Sequence, residues 1–115
     1  MNADHVGLTA VTIEQMREVF RCFPQVERAV LYGSRAKGNF RPGSDIDLTL
    51  AGKDLTPQLL GKIADALDDL YLPYMIDLSI EAELHHEALQ AHIHRVGKIF
   101  YQQDGHSAEA APGSR

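Results

Sequence analysis

Apolar positions along the chain fall into two rhythms. Ile13, Met16, Phe20 and Phe23 recur at steps of three, four and three and draw one stripe down a helix that ends near Pro24. Thr12, with Gln15 three residues on, has the form of a capping box that starts it, and Glu14, Arg17, Glu18 and Arg21 fall on its solvated face. A second helix is predicted from Thr56 and Pro57, an N-cap followed by proline at the first helical position, to about residue 71. Leu60, Ile63, Ala64, Leu67 and Leu70 are its buried stripe. The third is predicted over 82–95, with Leu84, Ala88, Ala91 and Val96 inward and Gly97 as a left-handed stop.

Between the helices the period drops to two or the run becomes continuously apolar. Residues 29–32 read as a central strand buried on both faces. Over 45–50, alternation sends Ile46, Leu48 and Leu50 to one face and Asp45, Asp47 and Thr49 to the other. Over 74–80, Ile76, Leu78 and Ile80 separate in the same way from Met75, Asp77 and Ser79, and 98–102 adds a short edge strand. The segment 33–44, with Gly33, Gly38, Pro42 and Gly43, is expected to be turn and loop with at most one helical turn. Helices alternating with strands predict an α/β or α+β domain, a small sheet flanked by helices, over residues 1–102. Residues 103–115 lack the apolar side chains that offset ordering entropy and are expected to form a mobile tail.

Composition narrows the function. At 115 residues, 44% hydrophobic and 23% charged, the chain has the mixture of one ordinary globular domain. A net charge of -5 supplies no basic field for holding a phosphate backbone, so non-specific nucleic-acid binding is not expected. The single cysteine, Cys22, cannot form an internal disulfide and is expected to pack as a small hydrophobe rather than act as a thiol catalyst. No stretch approaches the roughly 18 apolar residues of a membrane span. The start carries Asp4 and His5 rather than a basic segment and an apolar run, so the expected location is the cytoplasm, with no membrane partner.

The residues that could carry chemistry cluster in the strands and the glycine-bearing loop. Asp45 and Asp47, two apart on one strand, point the same way roughly 6.6 Å apart and could flank divalent cations. An Asp-x-Asp pair is by itself a weak signal, since such residues also cap helices and line turns. Asp77 adds weight because a carboxylate in an apolar strand is costly unless it meets a cation or an arginine. Gly33 and Ser34 follow a strand directly, where exposed amides and a hydroxyl can approach phosphate closely, although glycine after a strand also serves as a simple turn. Arg35 and Lys37 bring positive charge to the same loop and could neutralise phosphate oxygens or pyrophosphate. The loop lacks the Gly-Lys-Ser/Thr ending of a P-loop. The histidines His85, His86, His92 and His94 do not have zinc-protease spacing and are read as surface or interface residues. Phe40, Tyr74 and Tyr101 are read as packing or partner contacts.

Taken together, Leu31-Tyr32-Gly33-Ser34, ten intervening residues, Asp45-Ile46-Asp47-Leu48 and a later Ile76-Asp77-Leu78 closely resemble the nucleotidyltransferase signature of the DNA polymerase β superfamily. The length resembles its minimal nucleotidyltransferase, or MNT, group, and the resemblance covers residues 12–102. It implies a mixed sheet flanked by helices, similar to the polymerase β palm. It implies a nucleoside triphosphate, ATP, held by Gly33 and Ser34, with Arg35, Lys37 and Ser44 of the same loop. Two magnesium ions would be held by Asp45, Asp47 and Asp77, the catalytic trio, with Asp77 also helping to deprotonate the acceptor hydroxyl. A nucleoside monophosphate would pass to that hydroxyl with release of pyrophosphate. Proteins of this group commonly pair with a helical HEPN protein, often a ribonuclease toxin, and act as its antitoxin, some by adding AMP to a partner tyrosine. The resemblance therefore implies a HEPN partner, in a homo- or hetero-oligomer. Two alternatives remain: a catalytically silent module that neutralises a partner by contact, and a small-molecule nucleotidyltransferase of the aminoglycoside type.

Overall fold

A computed structural model describes residues 1–103, and residues 104–115, most of the expected tail, lie outside the described residues. Five helices, α1 (Ala3–Val6), α2 (Ala10–Arg21), α3 (Gly33–Lys37), α4 (Pro57–Asp68) and α5 (Glu87–Val96), accompany four strands, β1 (Arg28–Tyr32), β2 (Ile46–Ala51), β3 (Ile76–Ile80) and β4 (Lys98–Gln102). A single 3-10 turn, Glu81–Glu83, lies between β3 and α5.

The sheet is mixed and ordered β3-β2-β1-β4. β1 pairs antiparallel with β2 and β4, whereas β2 and β3 run parallel because α4 carries the chain back to the starting end of the sheet. Interior placement of β1 and the edge position of β4 match the sequence pattern. Ala29, Leu31, Ile46, Leu48 and Leu50 face a core closed by Met16 and Phe20 of α2 and by Ile63 and Leu67 of α4. Phe20 meets the Phe100 ring edge-on at 6.3 Å between centroids. The opposite face is only partly covered. There Val30 and Tyr32 pack under Ile93, Leu84 and Leu89, so α5 roofs β1.

Several helix ends differ from the sequence reading, for local reasons. α2 begins earlier, with Thr9 rather than Thr12 as its cap: Thr9 Oγ1 accepts from the Thr12 amide at 3.0 Å and donates to Thr12 Oγ1 at 2.9 Å. Thr56 caps α4 as expected, accepting from the Leu59 amide at 3.1 Å. The last helix begins at Glu87 because the chain first makes the 3-10 turn, and His86 Nδ1 accepts from the Leu89 amide at 3.2 Å in the role usually filled by serine or aspartate. Gly97 is not a left-handed stop, since its φ is -58°; glycine is needed because a Cβ there would stand 2.4 Å from the Ile93 carbonyl oxygen. Cys22 is exposed, not packed, because it caps the end of α2 beyond the buried stripe. Gln103, assigned to the tail by composition, donates from its amide to Glu27 O at 2.9 Å and from its side chain to Pro24 O at 2.8 Å.

Candidate active site

Parallel pairing of β2 and β3 brings the acids of two strands together. Asp47 is the direct register partner of Asp77, so both side chains rise from the same face, and Thr49 and Ser79 follow one rung further on. Asp45 stands just before β2, where the Ile46 amide donates to Met75 O at 2.9 Å and locks the start of the pairing. Position in the sheet sets the environment of each acid. Asp77 lies on an edge strand and is exposed, as is Asp45, whereas Asp47 lies on an interior strand and is half-buried. Burial pushes the Asp47 carboxyl above the ordinary carboxylate range, and the charges of Asp77 and Asp45 push it further, with His92 acting in the opposite sense.

The turn after β1 is built against that carboxylate. Gly33 has φ +75°, and a Cβ placed on it would lie 2.2 Å from Asp47 Oδ2, so the acid occupies the space a side chain would take. The resemblance assigned the glycine to nucleotide approach; the structure adds that it also makes room for the central acid. Tyr32, register partner of Asp47, is buried beside it. Burial raises its phenol pKa, Ser79 acts in the opposite sense, and the charges of Asp77 and Asp47 raise it further. Ser79 lies near the Tyr32 hydroxyl, but neither Ser79 Oγ nor Thr49 Oγ1 has a hydrogen-bond partner of acceptable geometry among the described residues, although both oxygens are buried.

The basic residues of the loop part company. Arg35 is 1% exposed, and backbone carbonyls take up its guanidinium: Nη1 donates to Val6 O at 2.9 Å and Gly7 O at 3.2 Å, and Nη2 and Nε donate to Ser44 O at 2.9 and 3.2 Å. It is sandwiched between the rings of Phe40 and Tyr74, 5.2 and 4.8 Å from their centroids. The expectation that Arg35 neutralises phosphate is therefore corrected: it is buried, and its four hydrogen bonds tie the N-terminal segment to the far end of the loop. Ser44 belongs to the same tie through its carbonyl, and its hydroxyl accepts from the Arg41 amide at 2.8 Å. Lys37 at the end of α3 is exposed, and Ser34 sits half-buried one residue beyond Gly33.

His92 reaches this site although its spacing gave no sign of it. Its Nε2 accepts from the Gly33 amide at 3.1 Å, and its ring meets Tyr32 edge-on at 6.3 Å. The surface reading of that histidine is corrected, because α5 packs over β1 and carries residue 92 to the end of the strand.

Oxygen donors of this kind suit magnesium, a hard cation that takes one or two carboxylates and completes its shell with water and phosphate oxygens. Mutual repulsion around Asp47 is what a cation would relieve. Among the described residues no three His, Cys, Asp or Glu side chains form a ready-made metal cage. Among the described residues, no helix is long and apolar enough to cross a membrane.

The family model described as "Polymerase beta, Nucleotidyltransferase" matches residues 14–106. In fold, the chain is similar to a chain of a toxin-antitoxin complex crystallised with AMP-PNP, at 20% identity and TM-score 0.65, covering 86% of this chain and 80% of that one. It is also similar to a chain from the complex of a tri-AMPylated Shewanella oneidensis HEPN toxin with an MNT antitoxin, at 17% identity and TM-score 0.61, covering 88% and 78%. A third similarity is to a chain of the toxin-antitoxin complex MntA-HepT, at 17% identity and TM-score 0.61, covering 90% and 80%. No curated protein matches the chain significantly.

Proposed function

The chain belongs to the polymerase beta nucleotidyltransferase family, and from that premise we propose that it moves AMP from ATP onto a hydroxyl of a HEPN-type partner protein, acting as the antitoxin of a toxin-antitoxin pair. The observation that carries the chemistry is the register pairing of Asp47 with Asp77 on one face, with Asp47 Oδ2 against Gly33. The adenine nucleotide and the partner are supported by the complexes that share this fold, which contain AMP-PNP in one case and an AMPylated HEPN toxin in another.

In the reaction a partner hydroxyl oxygen forms a bond to the α-phosphorus, and the bond from that phosphorus to the bridging oxygen of pyrophosphate breaks. Gly33 and Ser34 hold the phosphates through an amide and a hydroxyl, and exposed Lys37 stands in the same short helix to offset charge on the departing pyrophosphate. Asp77, on the open edge of the sheet, is placed to take the proton of the incoming hydroxyl. Magnesium held by Asp45, Asp47 and Asp77 would supply charge stabilisation at the attacking and leaving oxygens. Asp47 then stands at the centre of the acids, and Asp45 and Asp77 on either side.

The test is to incubate the chain with a co-encoded helical partner, magnesium and α-labelled ATP. Label should appear on a partner tyrosine and vanish in Asp45→Asn. If Asp45→Asn neutralises the partner as well as wild type and no label ever appears, the chain is a contact inhibitor instead. Label on an aminoglycoside in the absence of any partner would move the assignment to small-molecule modification.

A further inference from the structure

We propose that His92 is a resident competitor for the nucleotide: its imidazole holds the Gly33 amide in the nucleotide-free molecule, and a phosphate group gains that amide only by displacing the ring. The inference rests on the nucleotide-binding reading above and adds the residue that sets its affinity. Gly33 N donates to His92 Nε2 at 3.1 Å. Acceptance at Nε2 assigns the proton of the neutral ring to Nδ1. One amide hydrogen cannot make two well-aligned bonds at full strength, so phosphate and imidazole exclude each other there.

The side that yields is fixed by the surroundings. Gly33 has little room to retreat, because the Asp47 carboxylate fills the space beside its Cα and α3 follows directly. α5 is anchored through Ile93, packed with Val30 and Tyr32. The half-buried His92 side chain, by contrast, can turn about its own bonds without moving either element. While no ligand is bound, the ring satisfies an amide that would otherwise be half-buried and unpaired. When a ligand arrives, its apparent affinity is reduced by the fraction of molecules in which the amide is occupied. One neutral hydrogen bond of ordinary net strength makes that factor about two- to tenfold. The effect applies only to ligands that bring a phosphate to Gly33, so adenosine should not feel it.

The experiment is calorimetric titration of wild type, His92→Ala and His92→Gln with AMP-PNP and magnesium, alongside NMR of the full chain labelled with 15N-histidine. His92→Ala should bind about two- to tenfold tighter. His92→Gln, whose amide oxygen can accept from Gly33, should return towards wild type. The His92 Nε2 resonance should move from a hydrogen-bonded to a solvated position, half-complete at the calorimetric Kd. Equal or weaker binding by His92→Ala, or an unmoved Nε2 resonance at saturation, overturns the competitor while leaving nucleotide binding intact. Should His92→Ala fail to fold, the resonance in wild type decides alone. If wild type and both variants bind no AMP-PNP, the nucleotide reading falls together with the competitor.

Discussion

The two faces of β2 differ as much as any two regions of the molecule, although they alternate residue by residue along one strand. Ile46, Leu48 and Leu50 have no exposure and meet the apolar side chains of α2 and α4. Asp47 and Thr49 point the other way, into a setting that raises one carboxyl pKa and, among the described residues, leaves one hydroxyl unpartnered. Burial on the first face lowers the free energy of the fold at about 25 cal/mol per Å² of apolar surface. Much of what is on the second face opposes folding: like charges face each other, and the buried Thr49 and Ser79 hydroxyls lack partners among the described residues. The lesson is a division of labour in which one face supplies stability and the other uses some of it to hold groups in reactive positions.

Breaking the apolar face should have the largest effect. Leu48→Ala is expected to cost about 2–5 kcal/mol and to lower Tm by more than about 10 °C, measured by thermal denaturation. Nucleotide binding should go with it, because the acids have no support of their own.

An intermediate effect is expected at the tie made by the buried Arg35. Arg35→Met leaves the carbonyls of Val6, Gly7 and Ser44 without their donor and should destabilise by about 1–3 kcal/mol. Arg35→Lys should not restore it, since an ammonium lacks the planar fork. An unchanged Tm with lost AMP-PNP binding would instead make Arg35 a phosphate ligand.

The smallest change should have the opposite sign. Asp47→Asn removes repulsion at a half-buried site, so in magnesium-free buffer it should stabilise by no more than about 1 kcal/mol, solvent screening keeping the gain small, while abolishing transfer. The sign with pH follows from a carboxyl raised in the folded state: the folded chain binds this proton more readily than the unfolded one. Wild type therefore regains the stability attributable to Asp47 as pH falls through the raised value. The difference from Asp47→Asn should be largest at neutral pH and gone below the ordinary value of 3.8. A destabilised Asp47→Asn at neutral pH without magnesium would mean that this carboxylate supports the fold.

What could be read from sequence follows the range of the physics involved. Alternation at 46–50 and 76–80 fixes which residues share a face within each strand, because the period of a strand is two, whereas it was the resemblance that grouped the acids of the two strands. That Asp47 faces Asp77 in register, rather than one rung away, depends on pairing between strands and needed the structure. Arg35 misled because a basic residue in a glycine-bearing loop has the composition of a phosphate ligand, while its partners are main-chain carbonyls, of Ser44 and, far back in the chain, of Val6 and Gly7, which no side-chain pattern marks. His92 was invisible for a related reason: its partner is a main-chain amide 59 residues away, and no side-chain spacing encodes that. The capping difference between Thr9 and Thr12 was a contest between two hydroxyls three apart, and Thr9 takes the cap.

The contact between Gly33 and Asp47 also bears on how this domain would decay under relaxed selection. Any side chain at position 33 is strained by the backbone at φ +75°, and with the carboxylate in place even a methyl group must also push Asp47 Oδ2 aside. A shorter residue at 47 removes the collision and leaves the backbone strain as the remaining constraint. Loss of the acid should therefore come first and loss of the glycine second, and a descendant with glycine replaced but aspartate kept should be the rarer of the two intermediates.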